Sequence, residues 1–408
     1  MPKNLNLKGK EILKDGDLKC KSLKVRIYPE KSQITLIEKT FGCARFVYNY
    51  LLEERLNYHN LVKKGKRDWK GFVPTTEKEL KNKRNYKFLQ EVSSVALQQS
   101  RINLDRAYSN FFNNIKGKNN SNANSPKFHS KKNKQSYREV MISKDCFNTE
   151  EKTIRITKIG IVKYHHTDEY PRWFNYILEA RNITVSKSKS GKYYCSIMFS
   201  IDKDYKGKCN RNSRKTNIGL DFDLDDLYVD NYSNTGSDYG FYKVKQHFNK
   251  KLSKIQRNFS RKEKGSKNRE KVRIKLSKLE EHISNIRKDF IEKETLRLVK
   301  SFKNISIEDL NIKEMIQNSH NARNYVDTSW GLFVEKLKSK GKDYDCNIIV
   351  MDRYFPSSKL CSNCGFKNIK LKVEQKSWKC PNCKKKWDRD LNAAINIFKE
   401  GNRIRLEK

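Results

Sequence analysis

The amino-acid sequence predicts a multidomain protein that combines an α/β domain, a helical module and a small β domain. Three observations support this prediction. Strand-like and helix-like patterns alternate in the second half of the chain, two Cys-x-x-Cys pairs lie near the C-terminus, and basic residues are in large excess. The length of 408 residues is consistent with two or three domains of about 150 residues each.

The charge of the chain indicates a polyanionic partner. Lys and Arg number 89 and Asp and Glu number 47, which gives a formal net charge of +42. A folded protein with this charge repels itself unless an anion such as a nucleic acid neutralises it. Aromatic residues make up 11% of the chain, which is too many for a disordered basic tail. The composition therefore disfavours both a disordered tail and a single-domain enzyme of small molecules.

The sequence also predicts the compartment. The chain has no apolar run of about 18–20 residues, so we expect no membrane span. Residues 1–17 lack the apolar region of a secretory signal. We therefore predict a cytoplasmic protein in a reducing environment, where paired cysteines bind metal more often than they form disulfides.

The first half of the chain predicts a small β domain that contains a helical insertion. Gly42 is a candidate break within the first helical pattern, and the Asn-rich stretch 113–125 and the basic stretch 202–215 are expected to be linkers. The predicted elements are a strand at 23–28, helices at 32–61 and 92–112, and strands at 138–142, 153–164 and 177–201, the last a hairpin.

The second half predicts the α/β domain. Its expected strands lie at 217–223, 227–231, 240–244, 304–307 and 345–350, and a last helix starts near residue 391. Apolar residues at alternating steps of four and three predict an antiparallel helical hairpin over 243–303. This segment has 21 Lys/Arg and 7 Asp/Glu, so its net charge is 21 − 7 = +14. The excess favours contact with a phosphate backbone over a merely solvated face.

The two Cys-x-x-Cys pairs predict a zinc site. Cys361 and Cys364 precede Cys380 and Cys383 by a spacing that suits one tetrahedral Zn²⁺ ion with four thiolate ligands. Four protein ligands leave no open coordination position, so the zinc is expected to be structural. Four unrelated buried thiols are the alternative, and a redox role is disfavoured because the βαβ context is missing.

Three acidic residues are candidates for a second metal site. Asp221 lies on the opening strand of the α/β region, Glu308 follows an apolar strand, and Asp390 opens the last helix. Separately, they could be a solvated strand residue, an exposed strand end and a helix N-cap. Together, they could converge on two Mg²⁺ ions that clamp the attacking and leaving oxygens of a phosphodiester.

The motifs that contain these residues resemble those of the TnpB family of RNA-guided, RuvC-like nucleases encoded by bacterial insertion sequences. The resemblance covers residues 22–400 and includes an opening strand that ends at Pro29. Its motifs are Gly-Leu-Asp221, Ile-Glu308-Asp-Leu-Asn, Phe-Pro-Ser-Ser-Lys-Leu-Cys361-Ser-Asn-Cys364, Trp-Lys-Cys380-Pro-Asn-Cys383 and Asp-Arg-Asp390-Leu-Asn-Ala-Ala. One departure is Asp223, where the family usually has Gly.

The resemblance implies an RNase H-like (RuvC) nuclease domain with an inserted zinc ribbon, a small β-barrel-like wedge domain and a helical recognition lobe. It implies that Asp221, Glu308 and Asp390 are catalytic and bind Mg²⁺ or Mn²⁺. The expected domains are 1–29 (tail and first wedge strand), 30–125 (helical lobe and linker), 126–203 (wedge), 204–354 (nuclease domain with the basic hairpin 244–303), 355–387 (zinc ribbon) and 388–408 (C-terminal part of the nuclease domain).

The implied function is an RNA-guided, Mg²⁺-dependent DNA endonuclease of a transposon that cleaves next to a short target-adjacent motif. Its expected partners are a guide RNA from the transposon end and double-stranded target DNA, in the nucleoid of a bacterial cell and with a monomer favoured. The alternatives are a nuclease-dead guided regulator, a cut-and-paste transposase and a compact type V CRISPR effector. The presence of all three acids disfavours the first, and their order around the zinc motif disfavours the second.

Overall fold

The computed structural model describes residues 19–66, 68–117, 124–140, 146–167, 169–203, 205–209, 214–224, 226–236, 241–311, 314–315, 329–372 and 375–407. The chain forms two compact units that divide between Tyr205 and Lys206. Among the helices of these described ranges, none has the length and apolar composition that crossing a bilayer requires.

The first unit contains an antiparallel seven-stranded sheet. Its strands are β1 (Lys19–Tyr28), β2 (Gln135–Val140), β3 (Phe147–Asn148), β4 (Thr153–Ile156), β5 (Gly160–His165), β6 (Ile177–Lys187) and β7 (Tyr193–Ile201). Their spatial order is β2-β6-β7-β1-β5-β4-β3. Because β1 lies between β7 and β5, the prediction that the strand at 23–28 completes the β domain is confirmed. The predicted strand at 138–142 overlaps β2, and its residues 141 and 142 lie outside the described ranges.

The turns of this sheet correct one prediction and confirm another. The single strand expected at 153–164 is wrong, because β4 and β5 form a hairpin that pairs Ile156 with Gly160. Gly160 has a φ of +87°, which the short connection requires and which glycine adopts without strain. The hairpin expected at 177–201 is formed by β6 and β7, with Gly191 in its turn at a φ of +88°.

Helices α1 (Lys31–Lys63), α2 (Glu77–Asn82) and α3 (Ser94–Ile115) lie between β1 and β2 in the chain. They share a core of buried side chains that includes Val47, Leu51 and Leu104. The expected break at Gly42 is wrong, since α1 continues through it. A glycine inside a helix lowers its stability by only about 1 kcal/mol, which the buried face of this long helix offsets. The linker expected at 113–125 is helical as far as Ile115, and its residues 118–123 lie outside the described ranges.

The second unit is built around a four-stranded sheet of order β11-β10-β8-β9. Its elements are β8 (Lys215–Asp223), β9 (Leu227–Asp230), α4 (Phe241–Ser260), α5 (Lys267–Ser301), β10 (Phe302–Ile307), α6 (Trp330–Tyr344), β11 (Asn347–Val350), β12 (Ser377–Lys379), β13 (Lys386–Asp388) and α7 (Arg389–Leu406). Strands β11, β10 and β8 are parallel, and β9 is antiparallel to β8. The separate pair β12 and β13 forms a small hairpin.

The helical hairpin of this unit agrees with the heptad pattern. Buried Leu252 and Ile255 of α4 meet Leu279 of α5. Further along α5, Phe290 and Leu298 enter the core of the four-stranded sheet. Helix α5 therefore joins the basic hairpin to the sheet as one continuous rod.

Two predictions in this unit need correction. The strand expected at 240–244 is wrong, because α4 begins at Phe241 and its apolar residues pack on α5 at helical spacing; residue 240 lies outside the described ranges. Helix α6 was not predicted, because Gly331 and Gly341 interrupt its helical pattern. A Cβ atom at Gly341 would lie 2.7 Å from the carbonyl oxygen of Cys346, so the glycine permits the tight return into β11.

Candidate functional site

Strand register brings the first two candidate acids together. In the parallel pair of β8 and β10, Leu220 lies opposite Ile307, so Asp221 and Glu308 are the next residues on neighbouring strands. Residues at equal height on adjacent strands share one face of a sheet. Asp221 is only 8% exposed, and Glu308 is partly buried at the carboxyl end of β10.

Helix α7 brings the third acid to the same place. A Cβ atom at Gly219 of β8 would lie 2.5 Å from the carbonyl oxygen of Ala394, so the helix backbone rests directly on the strand. Gly401, about two turns after Ala394 on α7, is similarly close to Ser306 of β10. These glycines let the helix approach the sheet, and its first turn contains Asp390.

Asp390 is not the N-cap of this helix. The cap is Asp388, whose Oδ1 atom accepts hydrogen bonds from the backbone N–H groups of Asp390 (3.1 Å) and Leu391 (3.0 Å). The alternative that explained Asp390 as a cap is therefore wrong. The carboxylate of Asp390 is therefore not engaged in capping, whereas that of Asp388 stabilises the start of the helix.

The electrostatics show that the acids act on one another. Burial raises the pKa of Asp221 well above its usual range, and the negative charges of Glu308 and Asp390 raise it further. Burial also raises the pKa of Asp390, and the charge of Asp223 adds to this effect. Burial likewise raises the pKa of Glu308, and the positive charge of Arg389 offsets part of the rise at all three acids.

This donor set fits a hard divalent cation. Carboxylate oxygens are the ligands that Mg²⁺ and Mn²⁺ prefer, and a cation would remove the repulsion that raises the pKa of buried Asp221. Within the described ranges, the four cysteines alone form a set of three or more ligand atoms that all lie within 4.8 Å of one another. The oxygens of the three acids therefore do not all lie within 4.8 Å of one another.

The four predicted cysteines converge as ligands of one ion would. The Sγ atoms of Cys361 and Cys383 are 3.6 Å apart, and so are those of Cys364 and Cys380. These distances are too long for disulfides. They match the edge of about 3.8 Å that a tetrahedron with Zn–S bonds of about 2.3 Å would have. The thiols therefore fit Zn²⁺, and the alternative of unrelated buried thiols is disfavoured.

Local hydrogen bonds prepare the thiols for metal. The indole N–H of Trp387 donates to Sγ of Cys361 at 3.2 Å. A hydrogen bond between the Cys383 sulfur and the backbone of Lys385 is the main reason why the pKa of Cys383 is lowered to about 6. Donors aimed at sulfur favour the thiolate, which is the form that binds zinc, whereas burial raises the pKa of Cys380 to about 11.

Several residues of the site were not recognised in the sequence. The segment 356–362, here called the ribbon base, leads from β11 into the first cysteine pair. Ser357 of the ribbon base donates a hydrogen bond to Glu308, and Asn392 and Asn396 of α7 bind the ribbon base through its backbone. Two asparagines four residues apart, within the otherwise apolar stretch 391–398 of the helix, are the signal that could have identified this contact.

The helical hairpin supplies a basic groove. Helix α4 contains no Asp or Glu. An open groove of about 680 Å³ has five cationic side chains in its lining, namely Lys251, Lys254, Arg257, Arg261 and Lys275. The hairpin predicted to contact phosphate thus lines one groove with five of its basic side chains.

Three family models match the chain. A helix-turn-helix domain matches residues 20–64, a probable transposase matches residues 199–319, and a Cas12f1-like TNB domain matches residues 330–397. The first match corresponds here to strand β1 followed by the single helix α1. The third spans helix α6, the zinc ribbon and the start of α7.

Full-length relatives decide the family. A putative RNA-guided DNA endonuclease of Streptomyces pristinaespiralis is 31% identical over 392 residues, which covers 93% of this chain and 89% of the relative. The chain belongs to the TnpB family. Another relative is the putative RNA-guided DNA endonuclease InsQ of Escherichia coli (strain K12), 24% identical over 95% of this chain and 93% of its own.

A solved structure supports the fold. The cryo-EM structure of a Cas12f1–sgRNA–target DNA complex superposes with a TM-score of 0.52 at 13% identity, and covers 93% of this chain and 99% of that chain. At this identity the similarity concerns the fold alone. The predicted fold class, a mixed α/β chain with a four-cysteine cluster consistent with a zinc ribbon, is confirmed.

Proposed function

We propose that this TnpB family member is an RNA-guided, Mg²⁺-dependent DNA endonuclease of a transposon that cleaves beside a short target-adjacent motif. The observation with most weight is the meeting of Asp221, Glu308 and Asp390 on a sheet whose neighbouring helices form a strongly basic hairpin. Metal-dependent phosphodiester hydrolysis requires a cluster of acids, and a basic surface in the same unit can hold the nucleic acid.

The proposed partners follow from charge and from the relatives. The net charge of +42 calls for a polyanionic partner. Both relatives described above are named putative RNA-guided DNA endonucleases. We assign a guide RNA from the transposon end and double-stranded target DNA to this chain, with a monomer favoured. Base pairing would supply sequence specificity, while the protein contacts backbone and reads a short duplex motif.

In the proposed mechanism, each residue has a defined task. Asp221, Glu308 and Asp390 would hold the Mg²⁺ ions, and Arg389 offsets part of the negative charge of the three acids. Asp388 starts α7 and thereby fixes the direction of Asp390. When bound, the ions would activate a water molecule and stabilise the charge that develops on the scissile phosphate.

The zinc ribbon has a structural task in this proposal. Cys361, Cys364, Cys380 and Cys383 hold one Zn²⁺ with no open position. Because β13 of the ribbon ends at Asp388 and α7 begins at Arg389, the ribbon determines where the last acid lies. The domain bounds expected from the sequence, with a wedge at 126–203 and a ribbon at 355–387, remain part of the proposal.

The test is guided cleavage. The RNA that co-purifies with the full-length protein is sequenced, and a plasmid that matches its guide segment is incubated with the complex and Mg²⁺. We expect one defined RNA and cleavage of the matching plasmid, with an unmatched plasmid left intact. A random sample of cellular transcripts would contradict the guided reading, and binding without cleavage would favour the nuclease-dead regulator.

A further inference from the structure

A buried serine contacts the middle acid of the site. Ser357 is 5% exposed, and its hydroxyl donates a hydrogen bond of 2.5 Å to Oε1 of Glu308. Glu308 lies just beyond the carboxyl end of β10. A glutamate side chain has several rotatable bonds, so holding it in one orientation costs conformational entropy unless a contact compensates for it. The serine donor selects such an orientation before any cation binds.

Helix α7 holds this serine in place. The side-chain amide of Asn396 donates to the carbonyl oxygens of Ser357 and Leu360, both at 2.7 Å. One turn earlier, Asn392 donates to the same Leu360 carbonyl at 2.6 Å and accepts from the N–H of Ser362 at 2.9 Å. The helix that bears Asp390 therefore also fixes the donor that orients a second acid.

The chemistry of the contact suits a metal site. A carboxylate has about four acceptor positions, and a single hydroxyl donor uses one of them. The other positions of Glu308 stay available to a cation. Groups that hydrogen-bond to metal-binding carboxylates commonly alter metal affinity or activity by 10–100-fold. A neutral donor restrains the carboxylate without adding a positive charge that would compete with the metal.

We propose that Ser357 is a positioning residue that holds Glu308 in its metal-binding orientation, and that Asn396 fixes Ser357 for this task. The inference rests on the proposed function, because it places Ser357 beside the catalytic Mg²⁺ site. It extends that proposal by giving the ribbon base a direct contact with an acid on the sheet.

The test compares Ser357→Ala with two variants in the full-length, zinc-loaded, RNA-bound protein. Ser357→Thr keeps the hydroxyl. Ser358→Ala removes a neighbouring hydroxyl that makes no hydrogen bond to the residues the structure describes. Mn²⁺ binding is measured by electron paramagnetic resonance, and the Mg²⁺ concentration for half-maximal cleavage is measured in parallel. Zinc and RNA content are determined for each protein.

We expect Ser357→Ala to weaken Mn²⁺ binding and to raise the half-maximal Mg²⁺ concentration by about 10-fold or more, with zinc and RNA retained. Ser357→Thr should restore both values, and Ser358→Ala should match the wild type. In a Glu308→Gln background, Ser357→Ala should cause little further loss of Mn²⁺ binding.

Two results would overturn the inference. One is Mn²⁺ binding by Ser357→Ala that equals that of Ser358→Ala. The other is loss of zinc in step with loss of Mn²⁺, which would make Ser357 a folding residue. If Ser357→Ala does not fold, Ser357→Cys, whose thiol is a weak donor, must show weaker Mn²⁺ binding or the inference fails. A wild type that binds Mn²⁺ and never cleaves matched DNA would refute the proposed function and leave this comparison intact.

Discussion

The cysteine cluster and the acid cluster lie in the same unit but are assembled in opposite ways. The four thiols come from residues 361–383, and backbone turns and a two-stranded hairpin bring them together. The three acids come from residues 221–390 and meet through strand register and the close packing of α7 on β8. The cysteine site is formed by residues close in sequence, and its four ligands leave no coordination position open on the metal. The acid site is formed by residues distant in sequence, and its three ligands would leave coordination positions open.

This difference explains what each site can do. Four thiolates around one ion exclude water and substrate, so such a site stabilises a fold. Carboxylates whose charges raise the pKa of buried Asp221 are poorly stable without a cation, which suits exchangeable Mg²⁺. The closed site fixes the start of α7, and α7 in turn completes the open one.

The largest expected effect tests whether the local site supports the long-range one. Cys380→Ser should abolish zinc binding and unfold the ribbon, because structural zinc contributes about 10 kcal/mol to the folding of small zinc modules. Guided cleavage should disappear with it. Zinc content by elemental analysis and thermal unfolding measure the effect. Cys20→Ser is the control, since that thiol is exposed and lies in the other unit; full cleavage by a zinc-free Cys380→Ser protein would separate the two sites.

A smaller effect is expected from removing one acid. Asp390→Asn should reduce guided cleavage about 100- to 1,000-fold, because a metal contributes several kcal/mol to the transition state and each 1.4 kcal/mol is a factor of ten. DNA binding should remain, since it depends on base pairing and on the basic surface. Cleavage and binding of a matched duplex are measured on the same preparation.

Asp388→Asn is the matched control for this prediction. Asparagine caps helices as well as aspartate does, so this variant should cleave nearly as fast as the wild type. Asp223→Asn should fall between the two, because Asp223 adds negative charge at the site while its Oδ1 also accepts from the N–H of Asp226. Equal losses in Asp388→Asn and Asp390→Asn would mean that the helix start, and not the acid, is what matters.

Packing of α7 is expected to have an intermediate effect. Gly219→Ala would place a Cβ atom 2.5 Å from the carbonyl oxygen of Ala394 and push α7 away from β8. Overpacking of this kind costs about 1–3 kcal/mol. Gly42→Ala is the control, because no atom lies within 4 Å of its added Cβ; it should stabilise α1 by about 0.5–1 kcal/mol. Denaturant unfolding of both variants checks the pair, and equal stability would refute the close approach.

The smallest effect concerns affinity. Replacing Lys251 and Lys254 with Gln should weaken RNA or heteroduplex binding and flatten the plot of log affinity against log salt by about 0.7–0.9 per lost phosphate contact. The control is Arg273→Gln, because Arg273 is already paired with Glu270 at 2.6 Å. Identical salt slopes for the two proteins would mean that the groove contacts no phosphate.

The sequence predicts the local features well. The spacing of the cysteines identifies the four that cluster, and the heptad pattern identifies the packing of Leu252 on Leu279. Both features depend on residues that are close in the sequence. The three acids could be named through motifs, but their contact could not, since it depends on the pairing of β8 with β10. Ser357 lies in a quoted motif, but its contact with Glu308 was missed for the same reason, because the hydrogen bond joins residues 49 positions apart.

The most direct test of the account treats the two metal sites separately. The purified RNA complex is exchanged briefly into EDTA, its zinc content is determined, and cleavage of matched DNA is measured before and after Mg²⁺ is added back. We expect about one zinc per chain to persist, cleavage to vanish in EDTA, and Mg²⁺ alone to restore it. Cleavage that persists without Mg²⁺, or that returns only when zinc is supplied, would contradict the account.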